Sequence, residues 1–219
     1  MSADLAREKQ LAAEAAAALV EDGMAVGLGT GSTAAAFVTA LAARGLDLRC
    51  VATSSATAEL AATLGLAVEP FDGTGALSTL DLAVDGADQV GVDGWIVKGG
   101  GGAHTREKIV AAAATRFVVI VSSDKLAETL RAPMPLELHA FGLESTLGRL
   151  SHASLRDAPR TPDGGVLADW HGAVGDPAEL AARLSATPGV VDHGLFSPDL
   201  FTEVLVGRGG AVERISFAR

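Results

Sequence analysis

A chain of 219 residues, 48% hydrophobic and 20% charged, is long enough to bury one substantial core and too apolar for disorder. Its net charge of -10, with no run of Lys and Arg, disfavours a nucleic-acid partner, whose backbone requires a clustered basic field. The single cysteine, Cys50, excludes an intrachain disulfide and fits a reducing, cytoplasmic compartment.

From Ala3 to Val20 the chain is built of helix formers with charges among its alanines, so it reads as a helix and not as a signal peptide or membrane span. MAVGL at 24–28 reads as a strand, the Gly-rich GTGS as a tight loop, and Thr33 to Ala43 as a second helix. A strand near Leu48 to Thr53, a helix near Ala56 to Leu64 and short apolar segments at 67–69 and 80–85 follow. WIVK at 95–98, a glycine cluster, a helix from about Arg106 to Thr115 and FVVIV at 117–121 continue the alternation. The pattern predicts an α/β fold, a doubly wound, mostly parallel sheet with helices on both faces and ligands at strand C-termini.

After the proline-containing segment at 131–138 the elements shorten. FGLESTLGRL and DPAELAARLSA read as helices, and SHASLRD, GVLADWH, TEVLVGR and AVERISF as strands. The expected organisation is a main α/β domain of residues 1–130 and about 200–219, carrying the substrate site, with a smaller α+β domain inserted at about 131–199.

Three segments carry chemistry. GLGTGSTA at 27–34 joins a strand to a helix, which gathers backbone N–H groups and the positive helix end at one point. Alone it reads first as a tight turn; Ser32 and Thr33 add two hydroxyls where a phosphate oxygen would arrive. No acidic residue follows the second strand to hold a ribose, and no Lys precedes Ser32, so neither a dinucleotide fold nor a Walker loop is completed. In VDGADQV, Asp85 and Asp88 flank Gly86 and Ala87; the pair reads first as a turn, then as sugar-hydroxyl ligands or an acid/base pair, with Mg²⁺ ranked below these. In WIVKGGGGAHTREK, Lys98 precedes four glycines and Thr105 can cap a helix that places Glu107 in its first turn. Four glycines raise the entropy of the unfolded chain, a cost that a ligand lying against bare backbone explains. Separately, Glu107 is an ordinary first-turn acid and Lys98 a solvated strand end; flanking one glycine loop, they point to a site. Lys9 and Lys125 are candidate phosphate partners or ordinary surface lysines, and no histidine has metal-ligand spacing.

GTGSTA at 29–34, DGAD at 85–88, KGGG at 98–101 with TREK at 105–108, and SDK at 123–125 together resemble ribose-5-phosphate isomerase, type A. PGVVDHGLF at 188–196 and the following TEVLVGR extend the resemblance over nearly the whole chain. It implies Glu107 as proton acceptor and a substrate pocket formed by Thr30, Gly31, Ser32, Thr33, Asp85, Gly86, Ala87, Asp88, Lys98, Gly99, Gly100, Gly101 and Lys125, with Lys9 as the N-terminal phosphate ligand. It also implies a small phosphorylated sugar substrate, no metal or organic cofactor, no nucleic-acid or membrane partner, and a homodimer or a tetramer of dimers. The expected reaction interconverts D-ribose 5-phosphate and D-ribulose 5-phosphate through an enediolate. Glu107 moves the carbon-bound proton, Lys98 and loop N–H groups stabilise the charge, and Asp85 assists ring opening and oxygen-proton transfer. Two departures are visible: Gln89 stands where glutamate is common, and His104 where apolar residues are common.

Three alternatives make different demands. A deaminase or coenzyme A transferase on a similar fold lacks the joined KGGGGAHTREK pattern. A sugar-phosphate sensor would need room for a helix-turn-helix before Met24, and a dehydrogenase would bind NAD(H).

Overall fold

The structure is a computed structural model and describes residues 3–217. Along the chain it forms α1 (Ala3–Ala17), β1 (Ala25–Leu28), α2 (Ser32–Ala42), β2 (Arg49–Ala52), α3 (Ser55–Thr63) and β3 (Leu80–Gly86). There follow β4 (Gln89–Gly91), β5 (Ile96–Val97), α4 (His104–Ala113), β6 (Ala114–Ser122), β7 (Leu126–Ala127) and β8 (Met134–Leu138). The chain ends with α5 (Leu143–Arg149), β9 (Ala153–Leu155), β10 (Val166–Trp170), α6 (Pro177–Ser185), β11 (Val190–His193), β12 (Leu195–Phe196), β13 (Glu203–Arg208) and β14 (Ala211–Ile215).

Two compact units result. The first holds the described residues up to Ala87, Arg106–Lys125 and those from Pro198 onward; the second holds Asp88–Thr105 and Leu126–Ser197. This division differs from the expected insert at about 131–199, because residues 88–105 fold with the second unit. The WIVK strand, β5, pairs with β4 and β12 instead of continuing the main sheet.

The first unit is a six-stranded sheet in the order β14-β13-β6-β3-β1-β2, parallel throughout except for the β13–β14 hairpin. The doubly wound reading follows from the two faces of β1. Val26 and Leu28 join an apolar cluster with Ala12 and Ala16 of α1 and Phe37 and Leu41 of α2. Gly27 points the opposite way, where a Cβ would come within 2.5 Å of Val110 on α4. Helices therefore cover both faces, and each fully buried Phe or Leu contributes roughly 1.5–3 kcal/mol. At β13, Gly207 admits α1 directly onto the sheet, since a Cβ there would sit 2.5 Å from the Glu8 carbonyl carbon.

The second unit contains two four-stranded sheets, β11-β8-β10-β9 and β12-β5-β4-β7. Its core gathers Met134, Leu136 and Leu138 of β8, Trp170 of β10, and Leu180, Ala181 and Leu184 of α6. α6 forms where its sequence directs it: Asp176 caps the N–H groups of Ala178 and Glu179, Pro177 occupies the first turn, and the apolar residues share one face. β8 lies inside the proline-containing segment in which no strand was expected.

Candidate active site

In the first unit the candidate residues cluster at the C-terminal ends of β1 and β3. Gly31 precedes α2 with φ of 103°, a conformation that favours glycine, and, lacking a side chain, it gives the helix's first turn no cap of its own. The positive end of the α2 dipole is directed at this loop. Lys9 on α1 donates to the Ser32 hydroxyl at 2.9 Å, so a cation stands at this helix start.

Asp85 is buried at the end of β3 and faces the same loop. Its Oδ1 accepts from the N–H of Thr30 at 3.0 Å and of Gly86 at 2.7 Å, which fixes the carboxylate's orientation. Gly29 is required by closeness: a Cβ would overlap the Asp85 carboxyl group and lie 2.5 Å from its Cβ. The loop is held from behind by Thr30 Oγ1 against Thr53 Oγ1 at 2.7 Å and by Thr57 Oγ1 donating to the Gly29 carbonyl at 2.9 Å. Glu107 lies in the first turn of α4, buried at 5% exposure. Thr33 lies near Gly86, whose added Cβ would be 3.8 Å from its own.

Lys125 ends the short turn after β6 and lies 3.5 Å from Asp124. The structure ties that turn to the helix bearing Lys9 through Glu8, whose Oε2 accepts from Ser123 N–H at 2.9 Å and Ser123 Oγ at 2.7 Å. Glu8 Oε1 also accepts from Gly209 N–H at 2.9 Å. These donors hold its carboxyl below the usual glutamate range, the Gly209 N–H first, then the Ser123 hydroxyl and N–H.

In the second unit Asp88 is anchored through its backbone N–H to Val97 at 2.7 Å, and its Oδ2 accepts from Gly100 N–H at 2.8 Å. Lys98 follows β5, is buried at 3% exposure and carries its ammonium 5.7 Å from the Phe196 ring centroid. Its N–H donates to the Gly194 carbonyl at 2.8 Å. The glycines are packed, not loose. A Cβ on Gly99 would lie 2.7 Å from His104 Nδ1, and one on Gly100 would lie 2.9 Å from Asp88 Oδ1. Gly100 and Gly102 donate their N–H groups to Asp88 and to the Gly99 carbonyl, so these two groups are engaged within the unit. Ala87 and Asp88 adjoin at the boundary between the units, and Gly101 lies within the loop.

Taken by itself, the buried carboxylate of the first unit suits proton abstraction from carbon, and the buried ammonium of the second suits stabilisation of anionic charge. Among the described residues no group of three His, Cys, Asp or Glu side chains is placed to hold a metal ion.

The ribose 5-phosphate isomerase A (phosphoriboisomerase A) family model matches residues 49–210. The chain belongs to this family. It is 47% identical over 230 residues to a Caulobacter sp. (strain K31) relative named ribose-5-phosphate isomerase A, covering 98% of this chain and 99% of the relative. The Methanocaldococcus jannaschii ribose 5-phosphate isomerase A structure aligns with a TM-score of 0.88 at 33% identity, covering 95% of this chain and 98% of that one. A D-ribose-5-phosphate isomerase solved in complex with phospho-erythronic acid aligns with a TM-score of 0.88 at 32% identity, covering 95% and 97% of the two chains. These likenesses bear out the mostly parallel α/β fold with an added smaller part.

Against the family pattern, Gln89 acquires a definite role. Its amide spans the backbone of Arg131, Nε2 donating to the carbonyl at 2.7 Å and Oε1 accepting the N–H at 2.8 Å. A glutamate cannot supply that donor. His104 is wholly buried at the start of α4. Sequence reasoning missed Glu8, although it lies four residues before buried Ala12 and so falls on the buried stripe of α1. It also missed Arg156 and Asp169, whose pairing depends on strands that meet only in the fold.

Proposed function

We propose that the chain interconverts D-ribose 5-phosphate and D-ribulose 5-phosphate in the non-oxidative pentose phosphate pathway. The observation that carries this reading is kinship over 98% of the chain to a ribose-5-phosphate isomerase A. Phospho-erythronic acid, bound by the solved relative, combines a phosphate with a planar anionic carboxylate, the shape and charge of an enediolate.

In the proposed mechanism the sugar ring opens with help from Asp85. Glu107 removes the C2 proton, and the electron pair moves through the C1–C2 bond onto the carbonyl oxygen to give the enediolate. Glu107 returns the proton to C1, while a proton passes from the C2 oxygen to the C1 oxygen, leaving the ketone at C2. Lys98 and glycine-loop N–H groups stabilise the intermediate charge, the dominant effect at preorganised oxyanion sites. Asp88 binds sugar hydroxyls. Lys9, Ser32, Thr33 and Lys125 hold the phosphate, whose binding energy orients carbons remote from it. The Lys9–Ser32 hydrogen bond at the α2 N-terminus supports the phosphate assignment, and the burial of Glu107 and Lys98 supports theirs. A cytoplasmic homodimer or tetramer of dimers completes the proposal. Among the described residues no helix is long and apolar enough to cross a membrane.

The test is ketopentose formation from ribose 5-phosphate by purified protein in excess EDTA, with Glu107→Gln alongside. Wild-type turnover with a variant slowed by about 10² or more supports the assignment. A wild-type enzyme without turnover overturns the reaction, and an active variant removes Glu107 from its role.

A further inference from the structure

One peptide group in the glycine loop of the second unit is gripped at both ends. The Gly99 carbonyl accepts from Arg156 Nη1 at 2.8 Å. The Gly100 N–H, in the same peptide plane, donates to Asp88 Oδ2 at 2.8 Å. Arg156 is itself braced by a two-pronged ion pair with Asp169, Nη2 to Oδ1 at 2.6 Å and Nε to Oδ2 at 2.8 Å, both side chains at most 20% exposed. Arg156 directly follows β9 and Asp169 lies on β10. The Arg156 N–H donates to the Leu167 carbonyl at 3.0 Å, so the guanidinium stands on a paired sheet.

A peptide between two glycines is weakly restrained by its own torsions, because neither neighbour has a Cβ, and within the loop its carbonyl is held by the Gly102 N–H at 3.0 Å. A flip would turn the Gly99 carbonyl towards Asp88, replace an attraction by a repulsion and re-aim the following N–H groups. Arg156 opposes that flip by binding the carbonyl from the opposite side. Its planar fork is well shaped for this, since two nitrogens engage one carboxylate while the third reaches the loop.

We propose that Arg156, braced by Asp169, is a positioning residue for isomerisation. It locks the Gly99–Gly100 peptide, and thereby the Asp88 carboxylate and the succeeding loop dipoles, in the orientation that the enediolate requires. The inference rests on the reading that this loop serves the isomerase reaction. It assigns Arg156 no contact with substrate.

The test compares wild type with Arg156→Met, Arg156→Lys and Asp169→Asn. In folded Arg156→Met, kcat falls about tenfold or more, less than the 10²–10³ of a deleted oxyanion donor because the loop still samples its working orientation. Competitive inhibition by inorganic phosphate stays within about twofold, since the proposed phosphate ligands are untouched. Hydrogen–deuterium exchange at the Gly100 N–H accelerates by about tenfold or more, as local opening becomes easier. Arg156→Lys recovers only part of the rate, because an ammonium cannot hold both Asp169 oxygens and the carbonyl with fixed geometry. A merely structural role would lower the melting temperature and leave kcat per folded molecule and Gly100 exchange unchanged, and that result overturns the proposal. Should Arg156→Met not fold, Asp169→Asn carries the test: faster exchange with reduced kcat sustains the lock, and unchanged values of both refute it. If wild-type protein does not isomerise ribose 5-phosphate, the functional reading fails, while the exchange comparison still decides whether the lock exists.

Discussion

Replacing Gly29 by alanine reverses the usual sign of a glycine-to-alanine change. Where alanine fits, such a change stabilises by about 0.4–1 kcal/mol, because the unfolded chain loses freedom. At Gly29 the new methyl would overlap the Asp85 carboxyl group and lie 2.5 Å from its Cβ, against an ordinary carbon contact of about 3.5–4.0 Å. Asp85 must therefore retreat by about 1 Å, which stretches the 3.0 Å bond from Thr30 N–H past the roughly 3.5 Å limit of a hydrogen bond. Losing one such bond to a charged group costs about 1.5–3 kcal/mol, so the net expectation is a destabilisation of about 1–2 kcal/mol. If Asp85 transfers oxygen protons, kcat falls by about 10² or more, the range for a displaced acid/base group. Urea midpoints and steady-state isomerisation rates measure the two effects. The steric reasoning is refuted by a variant as stable as wild type, and the role of Asp85 by a kcat within about twofold of it. Gly148→Ala is the internal control: it lies in α5 with open space around it and should gain about 0.5–1 kcal/mol with no change in rate.

Two further perturbations probe buried groups of the first unit. The Glu8 carboxyl titrates below its ordinary value near 4.5, so its contribution to stability is complete above that pH and is lost as pH falls through the lowered value. Glu8→Gln should consequently be less stable than wild type at neutral pH, with the gap closing on acidification. Equal urea midpoints at neutral pH would contradict the three-donor arrangement. Burial, with Glu69 nearby, pushes the Cys50 thiol up to about 11, so a thiol reagent at pH 8 should modify it only on unfolding. Fast labelling of the native protein would refute that.

Local alternation revealed most of the main sheet because each strand–loop–helix step is written in contiguous residues. GTGS, DGAD and the glycine run were legible for the same reason: loop chemistry is local. Sheet membership is not, so WIVK was recognised as a strand and assigned to the wrong neighbours. β8 was hidden because Pro133 and Pro135 imitate a break. A proline removes only one ladder donor, and β8 still pairs with β10 on one side and β11 on the other. The Arg156–Asp169–Gly99 chain and the Glu8 clasp join residues far apart in sequence, where no local signal exists.

The position of β13 also has a consequence for synthesis. It bonds to β6 on one side and β14 on the other, yet it is translated only after the larger segment of the second unit, Leu126–Ser197. Until then the nascent chain carries an unpaired β6 edge lined by Val118, Val119, Ile120 and Val121. Late emergence of the closing strand leaves this apolar edge exposed during synthesis, and a chain truncated before Glu203 is expected to keep it exposed and to aggregate.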